Sequence, residues 1–396
     1  MRALERWLAD HTEDLVAFRR QLHAHPELSG EEHLTTELLV ERLELAGLTV
    51  RPLSSGTGLL CDLGPTDLED DGPVFALRGD LDGLAMDDDK DVHYRSRVAG
   101  VSHACGHDVH TTVVLGAALY WAHHRDEIPG RLRFVFQPAE ERVPGGALDV
   151  LADDGLADVA GIVGLHCEPK ADVGTIGCRP GPISSAADMA TITLTGPGGH
   201  TARPELTVDT IALAARVVME LPGRVAARLP DPGDVKIVFG AIAAGDAANV
   251  IPTHAVLRAS IRTPSVDIWE TIHLLFEEEL AAIVDTTHAG FELDYVHGVP
   301  PVHNDSRLTQ IVRRAATAEL GPEAVHDAQQ SWGGDDFAWF TRATAGSYVR
   351  LGVHDPSADG PRLDLHAGHF DVDERAIPIG VRVLVATAVE FFADLR

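Results

Sequence analysis

The apolar runs of this chain are short, and three of them stop on clusters of chemically active side chains. Val74–Leu77 leads into Asp80 and Asp82, Arg131–Phe136 into Glu140 and Glu141, and Gly161–Leu165 into His166. Helices read from Arg2 to His25, from about Glu31 to Ala46 and from Thr111 to His124, and short strands from Leu48–Leu53 and Gly58–Leu63. Strands alternating with helices predict an α/β fold, a mostly parallel sheet covered on both faces. Such sheets bind ligands at the carboxyl ends of their strands. Three strand ends that carry polar clusters therefore predict one shared site.

The middle of the chain has another rhythm. Strands at Met189–Leu194, Val235–Ile242, Ala255–Arg262 and Phe291–Val296 and helices at Val208–Leu221 and Val266–Val284 follow in the order β-α-β-β-α-β. That order is ferredoxin-like, an antiparallel sheet with two helices. It predicts an inserted α+β domain over 186–297, with residues 1–185 and 298–396 forming the catalytic domain. The chain returns to the first domain with a helix over Ser306–Leu320, a strand around Tyr348–Val353 and a last helix over Ile377–Leu395.

The densest chemistry lies in Ser102-His103-Ala104-Cys105-Gly106-His107-Asp108-Val109-His110, nine residues with three histidines and one cysteine. Thiolate and imidazole are good ligands for zinc and similar ions. Cys105 and His107 are two apart, so an extended or turn segment can point both to one side. The stretch reads as half of a metal site. Glu140 and Glu141 are either a solvated turn or a working pair, one binding metal while the other takes a proton from water. Asp80 and Asp82 share one face and could ligate a metal or orient a ligand histidine. His166 and His366 say little alone among 21 histidines. His200 ends a glycine-rich turn, Gly196-Pro197-Gly198-Gly199-His200. Asn249 and Arg262 are candidate substrate contacts, since arginine suits bidentate recognition of a carboxylate. A rival chemistry has Cys105 as a nucleophile with His107 as its base.

Composition narrows the partners. The net charge of −29, from 61 acidic and 32 basic residues, argues against nucleic acid or an anionic membrane. Three basic residues are lysines, Lys90, Lys170 and Lys236; a GC-rich genome and adaptation to high salt both explain that scarcity. Met1 to Leu15 lacks an apolar signal-peptide core, and no uncharged apolar run reaches about 18 residues, the length of a membrane span. Four cysteines in 396 residues are no disulfide framework, and a reducing cytoplasm is the expected home.

Taken together and in order, these motifs resemble the aminoacylase/carboxypeptidase metallohydrolase family. The nearest branch holds hippurate hydrolases, bacterial N-acyl-amino-acid amidohydrolases and plant auxin-conjugate amidohydrolases. The resemblance runs almost end to end. It is carried by His23-Ala24-His25-Pro26-Glu27-Leu28, by Leu77-Arg78-Gly79-Asp80-Leu81-Asp82-Gly83-Leu84 and by His103-Ala104-Cys105-Gly106-His107-Asp108. Phe136-Gln137-Pro138-Ala139-Glu140-Glu141, Gly164-Leu165-His166, Gly198-Gly199-His200, Asn249-Val250-Ile251-Pro252, Gly334-Asp335-Asp336-Phe337 and Leu365-His366 continue it.

The resemblance implies a hydrolase of N-acyl amino acids using two divalent ions, zinc or manganese, with cobalt and nickel as substitutes. It implies Cys105, His107, Glu141, His166 and His366 as ligands, Glu140 as general base and Asp82 as an orienter. His200 would stabilise the oxyanion, and Asn249 and Arg262 would meet the substrate carboxylate. His103 and His110 become structural neighbours. It also implies a lid or dimerisation role for the inserted domain, and a homodimer or higher homo-oligomer. A dipeptidase or carboxypeptidase of the same family and a non-catalytic metal-binding homologue are the alternatives. Two positions depart from the branch: Gly334-Asp335-Asp336 stands where Ser-Glu-Asp is usual, and Cys167 follows His166.

Overall fold

A computed structural model describes residues 2–64, 72–358 and 361–396. The acidic run Asp67–Asp71 lies outside the described residues. The chain divides into two compact units. One is Met1–Ile183, His303–Gln329 and Asp336–Arg396; the other is Ser184–Val302 and Gln330–Asp335.

The main sheet of the first unit has eight strands among the described residues. In spatial order they are Val50–Pro52, Leu59–Leu63, Arg131–Gln137, Val74–Asp80, Val159–Asp172, Gly346–His354, Ile176–Cys178 and Val325–Asp327. The four central strands, from Arg131–Gln137 to Gly346–His354, run parallel. Antiparallel neighbours flank them on both sides. Every residue of Val74–Asp80 is buried, as expected of a strand covered on both faces. The helices Arg2–Ala24, His107–His123 and Ala376–Asp394 pack together, and the last two also touch the sheet.

Ala376–Asp394 has the length and hydropathy of a membrane span, which the sequence reading had not singled out. In the fold its apolar side chains, among them Ile377, Val381, Leu384 and Phe391, fill the core beside Leu15, Val113 and Phe75. Its hydropathy is that of an interior helix.

Two strands run past the apolar runs that announced them. Val74–Asp80 includes Asp80, and Val159–Asp172 carries His166 mid-strand instead of beyond its end. The reason is one-sided pairing. Val74–Asp80 pairs with this strand as far as Gly164, whereas Gly346–His354 continues beside it through Asp172. Past Gly164 one edge is open, and His166 sits at that opening. The short strands Ile176–Cys178 and Val325–Asp327 were not expected, because three residues carry no periodic signal.

In the second unit the antiparallel sheet runs Lys236–Ala244, His254–Arg262, Ala187–Thr195, Gly290–Val299. With the helices Thr210–Ala227 and Val266–Val284, this is the ferredoxin-like arrangement. Asp209 and Ser265 cap those helices by accepting from backbone N–H groups. Ile192, Leu194, Val217, Leu221, Leu257, Phe276 and Leu280 form a core separate from that of the first unit.

Candidate metal centre

The site begins at the turn before the helix His107–His123. Gly106 occupies its N-cap with φ +87°, in the left-handed region, and a Cβ there would lie 2.8 Å from Cys167 Sγ. Glycine alone fits. The turn aims Cys105 and His107 inward, and their ligating atoms and that of Glu141 all lie within 4.8 Å of one another. Cys105 Sγ is 3.5 Å from His166 Nε2, so the imidazole at contact distance from the thiol is His166. His366 Nε2 is 3.4 Å from Glu141 Oε1. All five residues belong to the first unit. Four come from the buried or half-buried floor, while His366 is 53% exposed at the rim.

A buried network orients these groups. His107 Nδ1 donates to the backbone oxygen of Asp82 at 2.9 Å and lies 3.2 Å from its carboxylate. The Asp82 carboxylate also accepts the N–H groups of Glu140 at 3.1 Å and Glu141 at 3.0 Å. One carboxylate thus fixes a histidine and both glutamates. His166 Nδ1 donates to the Cys167 carbonyl at 2.7 Å, which turns Nε2 towards Cys105. His110 donates from Nδ1 to Asp80 at 2.7 Å and accepts the Cys167 N–H at Nε2, 2.8 Å away. It holds Asp80 and the His166 strand together.

At the site the backbone is held in uncommon conformations at two points. Ala139 and His366 have φ of +53° and +56°, a strain of about 1–3 kcal/mol each that persists only where the surroundings enforce it. The Ala139 N–H is held by Glu32 at 2.7 Å, and the His366 N–H by the Ala104 carbonyl at 2.8 Å.

The electrostatics ask for a cation. His107 Nε2 and Glu141 Oε1 are buried and make no close hydrogen bond; they face each other at 3.9 Å, and His366 Nε2 reaches the same Glu141 oxygen at only 3.4 Å. Glu140 Oε2 and Asp80 Oδ2 also stand 3.8 Å from His107 Nε2. Two ligands that share one ion, each about 2.0–2.2 Å from it, lie about 3–4 Å apart. Burial opposes charge on His107, but Asp80 and Asp82 outweigh it and lift the pKa to about 10. Burial likewise opposes charge on Asp82, yet His107, Ser29 and the Glu141 N–H hold its carboxyl below the usual range. His166 is kept neutral by burial and by His110. Thiol, imidazoles and carboxylate with orphaned inward-facing atoms fit a divalent metal.

His103 is buried without a hydrogen bond, and burial pulls its pKa down to about 4. His200, Asn249 and Arg262 belong to the second unit. His200 pairs with Val250, next to Asn249, in a two-stranded ribbon, and is exposed. Arg262 ends the strand His254–Arg262, half-buried, with Nε donating to Ser260 at 3.0 Å.

Sequence reasoning passed over the support beneath the glutamates. Arg78 is buried between Asp80, Gln137 and Asp336. Asp336 also accepts from Gln137 and the Ala147 N–H, and its own N–H faces Glu140 Oε1 at 3.4 Å. An arginine inside the apolar strand Val74–Asp80 was the available signal, since a buried charge demands partners.

The model of the peptidase family M20/M25/M40 matches residues 76–390. The chain belongs to this family. That makes it by family a hydrolase of amide bonds. It is 34% identical over 368 residues to the N-acetyl-L-cysteine deacetylase of Bacillus subtilis (strain 168), covering 92% of this chain and 84% of that protein. It is 42% identical over 372 residues to a protein of Rhodococcus jostii (strain RHA1) provisionally named glutamate–cysteine ligase 2-3. That match takes in 94% of this chain, which spans about half, 46%, of that relative. Among solved structures, the Bacillus subtilis YXEP protein, a dinuclear metal-binding peptidase of the M20 family, superimposes with a TM-score of 0.84. The identity is 30%, over 97% of this chain and 99% of that one.

Proposed function

We propose that this M20-family chain hydrolyses N-acyl amino acids, releasing an acyl acid and a free amino acid. Two divalent ions, zinc or manganese, would be held by Cys105, His107, Glu141, His166 and His366. Bound there, such ions lower the pKa of water and polarise an amide carbonyl. Glu140 is the general base. It takes a proton from the attacking water and returns it to the leaving nitrogen. Asp82 orients His107 and both glutamates, His200 steadies the oxyanion, and Asn249 and Arg262 receive the amino-acid carboxylate. The observation that carries this reading is the pair Glu140 and Glu141, both tied by their N–H groups to Asp82 and both facing His107 Nε2. The resemblance to a deacetylase of an N-acetyl amino acid supports the substrate class.

Self-association through the second unit suits the edge strand Lys236–Ala244, where Val238 and Ile242 are exposed. A reducing cytoplasm suits four free cysteines, all buried.

The test is a panel of N-acetyl, benzoyl, indole-acetyl and aminobenzoyl-glutamate substrates with metal-loaded enzyme. A chelator should abolish turnover, and added metal should restore it. Glu140→Gln should lower kcat about 10²–10⁴-fold and leave metal content unchanged. Unaltered turnover in that variant sinks the assignment of the base. Inactivation by thiol alkylation that no metal influences would favour the cysteine nucleophile.

A further inference from the structure

Among the described residues four arginines are buried: Arg19, Arg78, Arg133 and Arg350. Three have carboxylates against them. Arg19 meets Asp108 at 2.6 Å, Arg78 meets Asp336 at 3.0 Å and Arg133 meets Asp62 at 2.7 Å. Arg350 is 9% exposed and has no ion pair or hydrogen bond among the described residues. Its guanidinium carbon stands 5.6 Å from the centre of the Tyr348 ring, a cation–π contact that takes up none of its N–H groups. In a chain with 61 acidic residues, a largely buried arginine with no carboxylate paired to it is the exception. None of its nitrogens is among the sealed, unpartnered polar atoms, so its N–H groups reach solvent and can receive an anionic ligand there.

The position says which ligand. Arg350 is the cross-strand partner of His166 in parallel register, so the two side chains leave the same face of the sheet from strands about 4.8 Å apart. Tyr348, two residues earlier on the same face, has its ring centre 5.9 Å from that of His166. The free guanidinium and the candidate metal centre are therefore neighbours.

We infer that Arg350 seats a carboxylate of the substrate beside the metal centre, so that preferred substrates carry a second carboxylate besides the one assigned to Arg262. N-succinyl amino acids and N-acyl derivatives of aspartate or glutamate have that chemistry. A planar, bidentate anion is the natural complement of a guanidinium whose N–H groups are unclaimed by protein acceptors. In its kinetic part this inference rests on the proposed amide hydrolysis. In its binding part it does not.

Calorimetric titration of the metal-loaded enzyme with succinate, and with acetate as the monocarboxylate control, tests the binding. Succinate should bind at least tenfold more tightly than acetate to the wild type, and Arg350→Met should erase that difference while Arg350→Lys keeps part of it. Equal affinities for the two acids in the wild type, or the same preference in Arg350→Met, would overturn the inference. If the methionine variant fails to fold, Arg350→Lys carries the comparison, and a succinate preference unchanged in it would overturn the inference. The kinetic arm compares kcat/KM for the N-succinyl and N-acetyl forms of one amino acid. That ratio should fall about tenfold in Arg350→Met; a ratio that does not move counts against Arg350. If no N-acyl amino acid is turned over but the succinate preference is present and lost in the variant, the substrate reading fails and the anion site stands.

Discussion

Asp82→Asn tests how far one buried carboxylate sets the whole centre. The Asp82 carboxylate meets four donors: Ser29 Oγ at 2.6 Å, Glu141 N at 3.0 Å, Glu140 N at 3.1 Å and His107 Nδ1 at 3.2 Å. Asparagine keeps the shape but turns one acceptor oxygen into a donor. The Ser29 hydroxyl can rotate and accept. A backbone N–H cannot, so Glu140 or Glu141 loses its partner. One buried, unsatisfied donor costs about 1–3 kcal/mol, and the remaining bonds fall from the charge-assisted range of about 1.5–3 kcal/mol to about 1 kcal/mol each. With three remaining bonds each weakened by about 0.5–2 kcal/mol, the sum is at least about 2.5 kcal/mol and at most about 9 kcal/mol, shared between folding and metal binding. Loss of a partner that orients a metal ligand lowers metal affinity about 10–100-fold. Chelator competition measures the affinity, and thermal unfolding with and without metal measures the rest. Wild-type affinity within twofold, together with unchanged kcat/KM, would refute the reasoning.

Two further substitutions probe the frame around the centre. Gly106→Ala places a side chain at φ +87° and a methyl 2.8 Å from Cys167 Sγ. The backbone alone costs about 1–2 kcal/mol, so melting temperature and metal occupancy should both fall. Adding Cys167→Ala should recover the part due to the clash, and an unchanged melting temperature in the single variant would contradict the geometry. Arg19→Met strips the buried Asp108 of its 2.6 Å partner and removes one contact each from Asp371 and Glu374, which keep Tyr94 and Arg20. Breaking a buried pair from one side costs about 3–5 kcal/mol, measurable by denaturant titration; a loss under about 1 kcal/mol would mean that His23, 2.7 Å from Asp108, already satisfies the carboxylate.

Much of this protein was legible in its sequence because the signals are local. Period-two and period-3.6 patterns marked the long strands and helices. The inserted β-α-β-β-α-β order needs no long-range information to be recognised, because each element announces itself. Cys105, His107, Glu140 and Glu141 stood out because so many ligating or acidic side chains in so few residues have no role in a core.

What the tertiary structure decided is which charges meet. Asp82 gathers His107, Glu140 and Glu141 across 25 residues and more. His166 owes its place to one-sided strand pairing, which opens the sheet past Gly164. Arg78 and Arg350 lie in strands of similar apolar character, yet among the described residues one is paired with two carboxylates and the other with none. Composition counts charges but cannot pair them, because pairing depends on atoms brought within a few ångströms by parts of the chain far apart in sequence.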